Sequence, residues 1–294
     1  MHPLTAILLH GLCSTPDELS TVAAALRAAG HTVLPLTVPG YSFDGTLNSK
    51  PNSNPNSKPN GANARQHATP YATWLRTVAN AALDAKASGQ HVVLVGLSAG
   101  AALALGTAMM LAREAPRTLQ GLVLMSTTLK YDGWSVPRHH FLMPLALYTP
   151  LGRFWHYREK PPYGVKNPRV RRWIERELAA RMISRAGAAV IGIDHLREHD
   201  RLRRHVRARL KRFVCPPVLA LHAREDEVAG LANVDLLRKN LRARSFRAVV
   251  LADSYHMITI DNDRHEVLRE TLHFIDSLTA QSLPTSPLAD GATS

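Results

Sequence analysis

The stretch His91-Val92-Val93-Leu94-Val95-Gly96-Leu97-Ser98-Ala99-Gly100 decides the fold of this chain. Its continuous aliphatic run is typical of a parallel strand covered on both faces. The Ala- and Leu-rich stretch Ala99–Glu114 follows it and predicts a helix. Between them lies the pattern G-x-S-x-G, whose small residues permit a sharp turn that lifts a serine hydroxyl above the sheet. We therefore predict Ser98 as a nucleophile, with Gly96 and Gly100 permitting the turn. A purely structural or phosphate-binding turn is the alternative.

Short aliphatic runs alternate with helical stretches along most of the chain. The other predicted strands are Thr5–Leu9, Thr32–Leu36, Gly121–Ser126, Pro217–His222 and Ala248–Ala252. The other predicted helices lie near Asp17–Ala29, Tyr71–Lys86, Val234–Leu241 and Asp261–Leu278. This alternation indicates an α/β fold with a doubly wound, mostly parallel sheet of about six strands and helices on both faces.

Two segments interrupt the alternation. Residues 47–68 are rich in Asn, Ser, Pro and Lys, which predicts a disordered low-complexity loop. Residues 129–212 are too many for a bare connection, and we expect them to form a mostly helical cap insertion over the sheet. The α/β core then comprises residues 1–128 and 213–280, and residues 281–294 form a flexible tail.

A serine hydroxyl needs a base before it can act as a nucleophile. Proteins with this turn carry the order serine, acid, histidine, each partner following a later strand. His256 follows the last predicted strand and Asp226 follows the strand before it, so we assign them as base and acid. Glu225 and Glu227 flank Asp226 and leave a neighbouring position open for the acid. We expect these two glutamates to be dispensable.

The end of the first predicted strand, Leu8-Leu9-His10-Gly11-Leu12, suits an oxyanion hole. Such a hole needs two backbone N–H groups aimed at the developing negative charge. We predict the amides of Leu12 and Ala99 as these donors, supported by His10 and Gly11. An ordinary glycine at a strand end is the alternative.

Together these segments resemble the α/β-hydrolase superfamily, and within it the small bacterial carboxylesterases that are similar to monoacylglycerol lipases. The matching segments are Leu9–Gly11, Gly96–Gly100, His222–Val228 and Ser254–Asp261. The resemblance implies hydrolysis of a small-molecule acyl ester, of short to medium chain or monoacylglycerol-like, through an acyl-enzyme. Thioesterases and acyltransferases acting on acyl-carrier-type substrates use the same machinery. Ala101, Ala223 and Tyr255 depart from the usual pattern and leave substrate size open.

The net charge of +13 is concentrated in one segment. Between Arg158 and Arg212 the chain has 17 Lys and Arg against six acids. This basic segment is either a solvated helical face or a docking site for an anionic membrane surface or an acidic acyl carrier protein. An acidic-partner-binding protein on a hydrolase scaffold is the non-enzymatic alternative. Nucleic acid is disfavoured because no nucleic-acid fold signature is present.

No cofactor and no metal are expected. His195-Leu196-Arg197-Glu198-His199 matches a zinc-peptidase pattern, but it lies among cations and we interpret it as a solvated helix. Two cysteines give no disulfide framework, and Met1–Leu9 lacks the features of a secretion signal. We therefore expect a cytoplasmic protein.

Overall fold

The computed structural model describes residues 4–43, 67–150, 152, 156–181 and 183–281. The strands in chain order are β1 (Leu4–Leu9), β2 (Thr32–Pro35), β3 (His91–Leu97), β4 (Leu119–Met125), β5 (His156–Arg158), β6 (Ile183–Ser184), β7 (Gly187–Ala188), β8 (Val190–Gly192), β9 (Val214–Cys215), β10 (Val218–Ala223), β11 (Arg242–Ala243) and β12 (Phe246–Leu251). The α-helices are α1 (Ser20–Ala28), α2 (Tyr71–Ala87), α3 (Ala99–Glu114), α4 (Met143–Tyr148), α5 (Pro168–Arg181), α6 (Ile193–Arg209), α7 (Ala232–Asn240) and α8 (Arg264–Gln281).

A six-stranded sheet in the order β12-β10-β4-β3-β1-β2 forms the centre of the molecule. Every neighbouring pair in this sheet is parallel. In β3, Val92–Leu97 are buried, and alternate residues point to opposite faces. Val92 and Leu94 pack with α2 and α3 on one face, whereas Val93 and Val95 pack with α1 and α8 on the other. The predicted doubly wound α/β fold is confirmed.

The described residues between β4 and β10 include the α-helices α4, α5 and α6 and two small antiparallel strand pairs, β5–β8 and β6–β7. Its last helix, α6, packs against α2 and α3. Leu202 and Val206 of α6 are fully buried and belong to the same apolar cluster as α3. This helix therefore extends the helical layer on one face of the sheet.

The interpretation of His195–His199 as a solvated helix is wrong. His195, Glu198 and His199 are all buried, because the spacing i, i+3, i+4 sets them on the inner face of α6. Glu198 accepts a hydrogen bond of 3.0 Å from the Tyr71 amide, and Tyr131 shares one of 2.8 Å with His199. Within the described ranges, no group of three or more His, Cys, Asp or Glu has the arrangement of a metal site.

Two predicted segments lie almost entirely outside the described residues. The low-complexity loop at 47–68 lies outside the described residues except for His67 and Ala68, and the tail at 281–294 does so except for Gln281. No described helix combines the length and apolarity that a membrane span requires.

Candidate active site

Ser98 lies at the turn between β3 and α3, in a strained backbone conformation with φ +56° and ψ −116°. Its amide is held by a 2.8 Å hydrogen bond to the Met125 carbonyl. The flanking glycines are needed for close approach. A Cβ on Gly96 would lie 2.3 Å from the Gly100 carbonyl oxygen, and a Cβ on Gly100 would lie 2.1 Å from that of Leu9. The start of α3 thus lies directly against the end of β1.

Ser98, His256 and Asp226 are brought together by direct hydrogen bonds. Ser98 Oγ lies 2.8 Å from His256 Nε2, and His256 Nδ1 lies 2.8 Å from Asp226 Oδ2. Asp226 and His256 are buried, whereas Ser98 is partly exposed. The hydroxyl is therefore accessible while its two partners are shielded from solvent.

Asp226 is held by more than the histidine. Its Oδ1 accepts hydrogen bonds from the amides of Val228 (2.9 Å) and Ala229 (2.8 Å). Burial is the largest influence and favours the neutral acid, but the charge and hydrogen bond of His256, the nearby His222 and the Ala229 amide together outweigh it and keep the pKa of Asp226 below its usual value. Burial alone would lower the pKa of His256, yet Asp226 and nearby glutamates raise it. The pair is thus arranged to stabilise an imidazolium.

Glu227, unlike Glu225, has a specific position at the site. It is only 3% exposed, and its Oε2 accepts a 3.0 Å hydrogen bond from the His256 amide. On the other side, Ser126 Oγ donates to the His256 carbonyl at 2.6 Å. Glu225 is exposed and pairs with Lys166 at 3.0 Å, so it makes none of these contacts.

The loop after β1 is fixed by His10. Burial lowers the pKa of His10 to about 4, so the ring is neutral at physiological pH. Since the Gly11 carbonyl 2.7 Å from Nδ1 only accepts, Nδ1 carries the proton and Nε2 accepts from the Ser42 hydroxyl at 2.8 Å. The C=O and N–H of a trans peptide point in opposite directions, so the Leu12 amide hydrogen points away from His10.

Ala99 supplies a second amide beside Ser98. It is the first residue of α3, and the first amides of a helix have no partner within the helix. The helix dipole favours negative charge at the same point. The predicted donors Leu12 and Ala99 are therefore on the two segments that the close contact at Gly100 brings together.

Two carboxyl groups near the site, one buried and one partly buried, were not predicted from the sequence. Glu18 is 3% exposed and accepts a 2.6 Å hydrogen bond from the Gly11 amide. Glu159, which follows β5, has a pKa raised to about 7 by burial and by the charge of Glu227. Single glutamates in otherwise ordinary stretches give no spacing signal, so nothing in the sequence separates them from surface residues.

A large groove lies away from these residues. A cavity of about 1250 Å³ is lined by the C-terminal end of α3 and by residues 212–216, and none of Ser98, Asp226 and His256 lines it. Because α3 begins at Ser98 and runs away from it, this groove is at the opposite end of that helix.

Comparison with known proteins identifies the family. A model of the alpha/beta hydrolase family matches residues 6–270. The chain belongs to the alpha/beta hydrolase family. Its sequence is 25% identical over 272 residues to that of a thermostable monoacylglycerol lipase from a Bacillus species. The alignment covers 92% of this chain and 90% of that one.

Solved structures show that this alpha/beta hydrolase shares its fold with lipolytic enzymes. A monoacylglycerol lipase of Paleococcus ferrophilus is similar with a TM-score of 0.71 and 18% identity, covering 94% of this chain and 96% of that one. A soluble variant of monoglyceride lipase from Saccharomyces cerevisiae gives 0.67 and 12%, covering 94% and 87%. The predicted superfamily is confirmed.

Proposed function

We propose that this alpha/beta hydrolase cleaves carboxylic esters through an acyl-enzyme intermediate. Ser98 is the nucleophile, His256 the general base and Asp226 the carboxylate that orients the imidazole. The observation that carries the proposal is the unbroken hydrogen-bond series from Ser98 Oγ to His256 Nε2 at 2.8 Å and from Nδ1 to Asp226 at 2.8 Å. A protein that only binds a partner would have no need of such a series.

In the first step, Ser98 Oγ attacks the ester carbonyl carbon while its proton passes to His256 Nε2. The developing oxyanion is bound by the amides of Leu12 and Ala99. The imidazolium then gives its proton to the departing alcohol oxygen, which leaves an acyl group on Ser98. Water, deprotonated by His256, then attacks the acyl carbon; the bond to Ser98 Oγ breaks, His256 returns the proton to Oγ, and the carboxylic acid leaves the free serine.

The substrate class we propose is a small acyl ester of short to medium chain or a monoacylglycerol. Its support is the similarity to the Bacillus monoacylglycerol lipase over most of both chains. We further propose residues 1–128 and 213–280 as the core and residues 129–212 as an insertion whose part before α6 shapes the acyl pocket. At its edge, Trp134 contacts Tyr255 edge to face with ring centroids 5.5 Å apart, next to His256.

Two further expectations stay predictions. The basic segment Arg158–Arg212 is proposed to meet an anionic membrane surface or an acidic acyl carrier protein. A cytoplasmic location is likewise a prediction.

Labelling with a fluorophosphonate followed by a substrate panel tests the proposal. Wild-type protein is expected to be labelled at Ser98, and Ser98→Ala is expected to be unlabelled. The panel pairs acyl esters with thioesters of the same acyl chain. Higher kcat/KM for the esters supports the proposal. Preference for thioesters, or labelling at another residue, contradicts it.

A further inference from the structure

Large apolar side chains are exposed on one short part of the insertion. Phe141 is 70% exposed, Leu145 57%, Leu142 46% and Tyr148 41%. They occupy a 3₁₀ turn, Arg138–Leu142, and the helix α4 that follows it directly. Their spacing of three and four residues sets them on one side, whereas Leu147 turns inward and is buried. Apolar surface of this extent on one element marks an interaction site.

Exposed cations lie at one edge of this surface, beside Tyr148, where Arg201 also pairs with Glu198 and Arg204 with Asp200. From Gly133 to Arg158 the sequence contains Arg and His but no Asp or Glu. Arg204 of α6 lies over the Tyr148 ring at 5.1 Å from its centroid, and Arg201 lies at 6.0 Å. We define the apolar–basic face by its members: Arg138, Phe141, Leu142, Leu145, Tyr148, Arg201 and Arg204.

The same segment reaches the candidate active site. Trp134, four residues before Arg138, is 59% exposed, and its Nε1 donates to the Glu225 carbonyl at 2.8 Å. Its ring contacts Tyr255, the neighbour of His256. A lipid or protein surface bound to the apolar–basic face would therefore lie close to the entrance of the candidate active site.

We propose that the apolar–basic face docks this protein onto an anionic lipid surface. Helical segments that lie in a membrane interface combine large apolar side chains with Arg or Lys at the edge. The apolar side chains enter the headgroup region, and the cations are attracted to the negative leaflet. A docking site for an acidic carrier protein would need the cations but would not need Phe141 and Leu145 exposed to this degree. The proposal rests on the proposed function, because acyl esters of low solubility accumulate in lipid.

The experiment measures co-sedimentation of the full chain with vesicles of phosphatidylcholine alone or with roughly 30 mol % phosphatidylglycerol. One variant, Phe141→Ser with Leu145→Ser, removes the apolar part. A second, Arg201→Gln with Arg204→Gln, removes two cations. Arg203 is kept, because it is buried and bonded to Asp200 at 2.5 Å. Val214→Ser, at a position 68% exposed, and Arg242→Gln with Arg244→Gln are matched controls elsewhere on the surface.

Wild-type protein and both controls are expected to bind the anionic vesicles, and to bind them more weakly at high salt because exposed charges are screened. The cation variant is expected to bind at least tenfold more weakly, because each cation removed lowers the affinity for the anionic surface by about fivefold. The apolar variant should lose binding to a similar degree, with a salt dependence like that of the wild type. All variants should hydrolyse a soluble short-chain ester at the wild-type rate.

Three results would overturn the proposal: equal vesicle binding by both variants, binding to an acyl carrier protein without binding to vesicles, or a wild-type dimer that the apolar variant disrupts without any vesicle binding. Ser98→Ala protein separates this test from that of the proposed function. It is expected to bind vesicles normally, so docking is measured even where no ester is hydrolysed.

Discussion

The Gly11 amide donates a 2.6 Å hydrogen bond to Glu18 Oε2 in a part of the molecule where the carboxyl group is shielded from water. Burial raises the pKa of Glu18 to about 7, from 4.5 in the unfolded chain, although the hydrogen bond from Gly11 opposes this shift. The loop that carries the proposed oxyanion donor Leu12 is thus held by a carboxyl group that titrates near neutral pH.

Glu18→Gln tests this relationship through stability. The folded protein holds the Glu18 proton more tightly than the unfolded chain, so the contribution of this group to stability falls as pH rises from 4.5 to about 7. The variant has an amide oxygen for the Gly11 bond and does not titrate. Its free energy of unfolding relative to wild type should therefore rise, by about 2–3 kcal/mol, between about pH 5 and about pH 8. Urea unfolding at both pH values measures it, and a difference independent of pH would contradict the assignment.

Ser98→Ala is expected to reduce kcat for ester hydrolysis by about 10⁴-fold or more, because no other hydroxyl takes its place. Thr128 Oγ1 lies 3.3 Å from Ser98 Oγ, but it can donate its hydrogen to the Ser126 carbonyl at 3.2 Å. The unfolding midpoint should stay close to that of wild type. Retention of a tenth of the activity in pure protein would exclude the proposed mechanism, and Thr128→Val is the control for the neighbouring hydroxyl.

Asp226→Asn should lower kcat by orders of magnitude, because the imidazole loses the anion that sets its orientation and stabilises its charge. Glu225→Gln is the matched control on the same loop, since its carboxylate pairs with Lys166 at the surface. Steady-state kinetics on one soluble ester compares the two. A larger loss for Glu225→Gln would move the acid to the neighbouring position.

The parts of this fold that the sequence predicts are those in which one local pattern has one structural meaning. The aliphatic run in β3 has to be a covered strand, and the serine after it has to stand at the strand end. The order of serine, acid and histidine then assigns Asp226 and His256, and His256 lies within hydrogen-bonding distance of both Asp226 and Ser98.

The structural features that the sequence does not predict depend on which face of a helix or loop packs against the core. In α6, the sequence suggests that His195, Glu198 and His199 are exposed to solvent, yet all three are buried. Glu198 and His199 form hydrogen bonds with Tyr71 and Tyr131, and arginines occupy the outer face of the helix. Glu18 and Glu159 are likewise ordinary carboxylates until the sheet, the loop after β1 and the insertion close around them. Only tertiary packing decides these cases.

Glu227→Gln tests how the buried carboxylates act on the base. His256 must be neutral to accept the Ser98 proton, so kcat/KM rises with pH through the pKa of His256 in the free enzyme. Burial lowers that pKa, but Asp226 and then Glu227 raise it, and the net result lies above the usual histidine value of 6.5. The midpoint of the rise in kcat/KM with pH is therefore expected above pH 6.5 for the wild type.

Removing the negative charge of Glu227 destabilises the imidazolium and lowers the pKa of His256. The midpoint should move to lower pH, by about half to one unit, so that the variant keeps activity under more acidic conditions. In the wild type, Glu227 accepts a 3.0 Å hydrogen bond from the His256 amide, and glutamine still offers an oxygen for this bond. The plateau of kcat/KM should therefore change only about fivefold or less. The pH profile of a soluble ester measures both quantities, with Glu225→Gln as the exposed control. A lower plateau with an unmoved midpoint would mean that Glu227 only holds the backbone of His256, and a midpoint displaced to higher pH would contradict the electrostatic role.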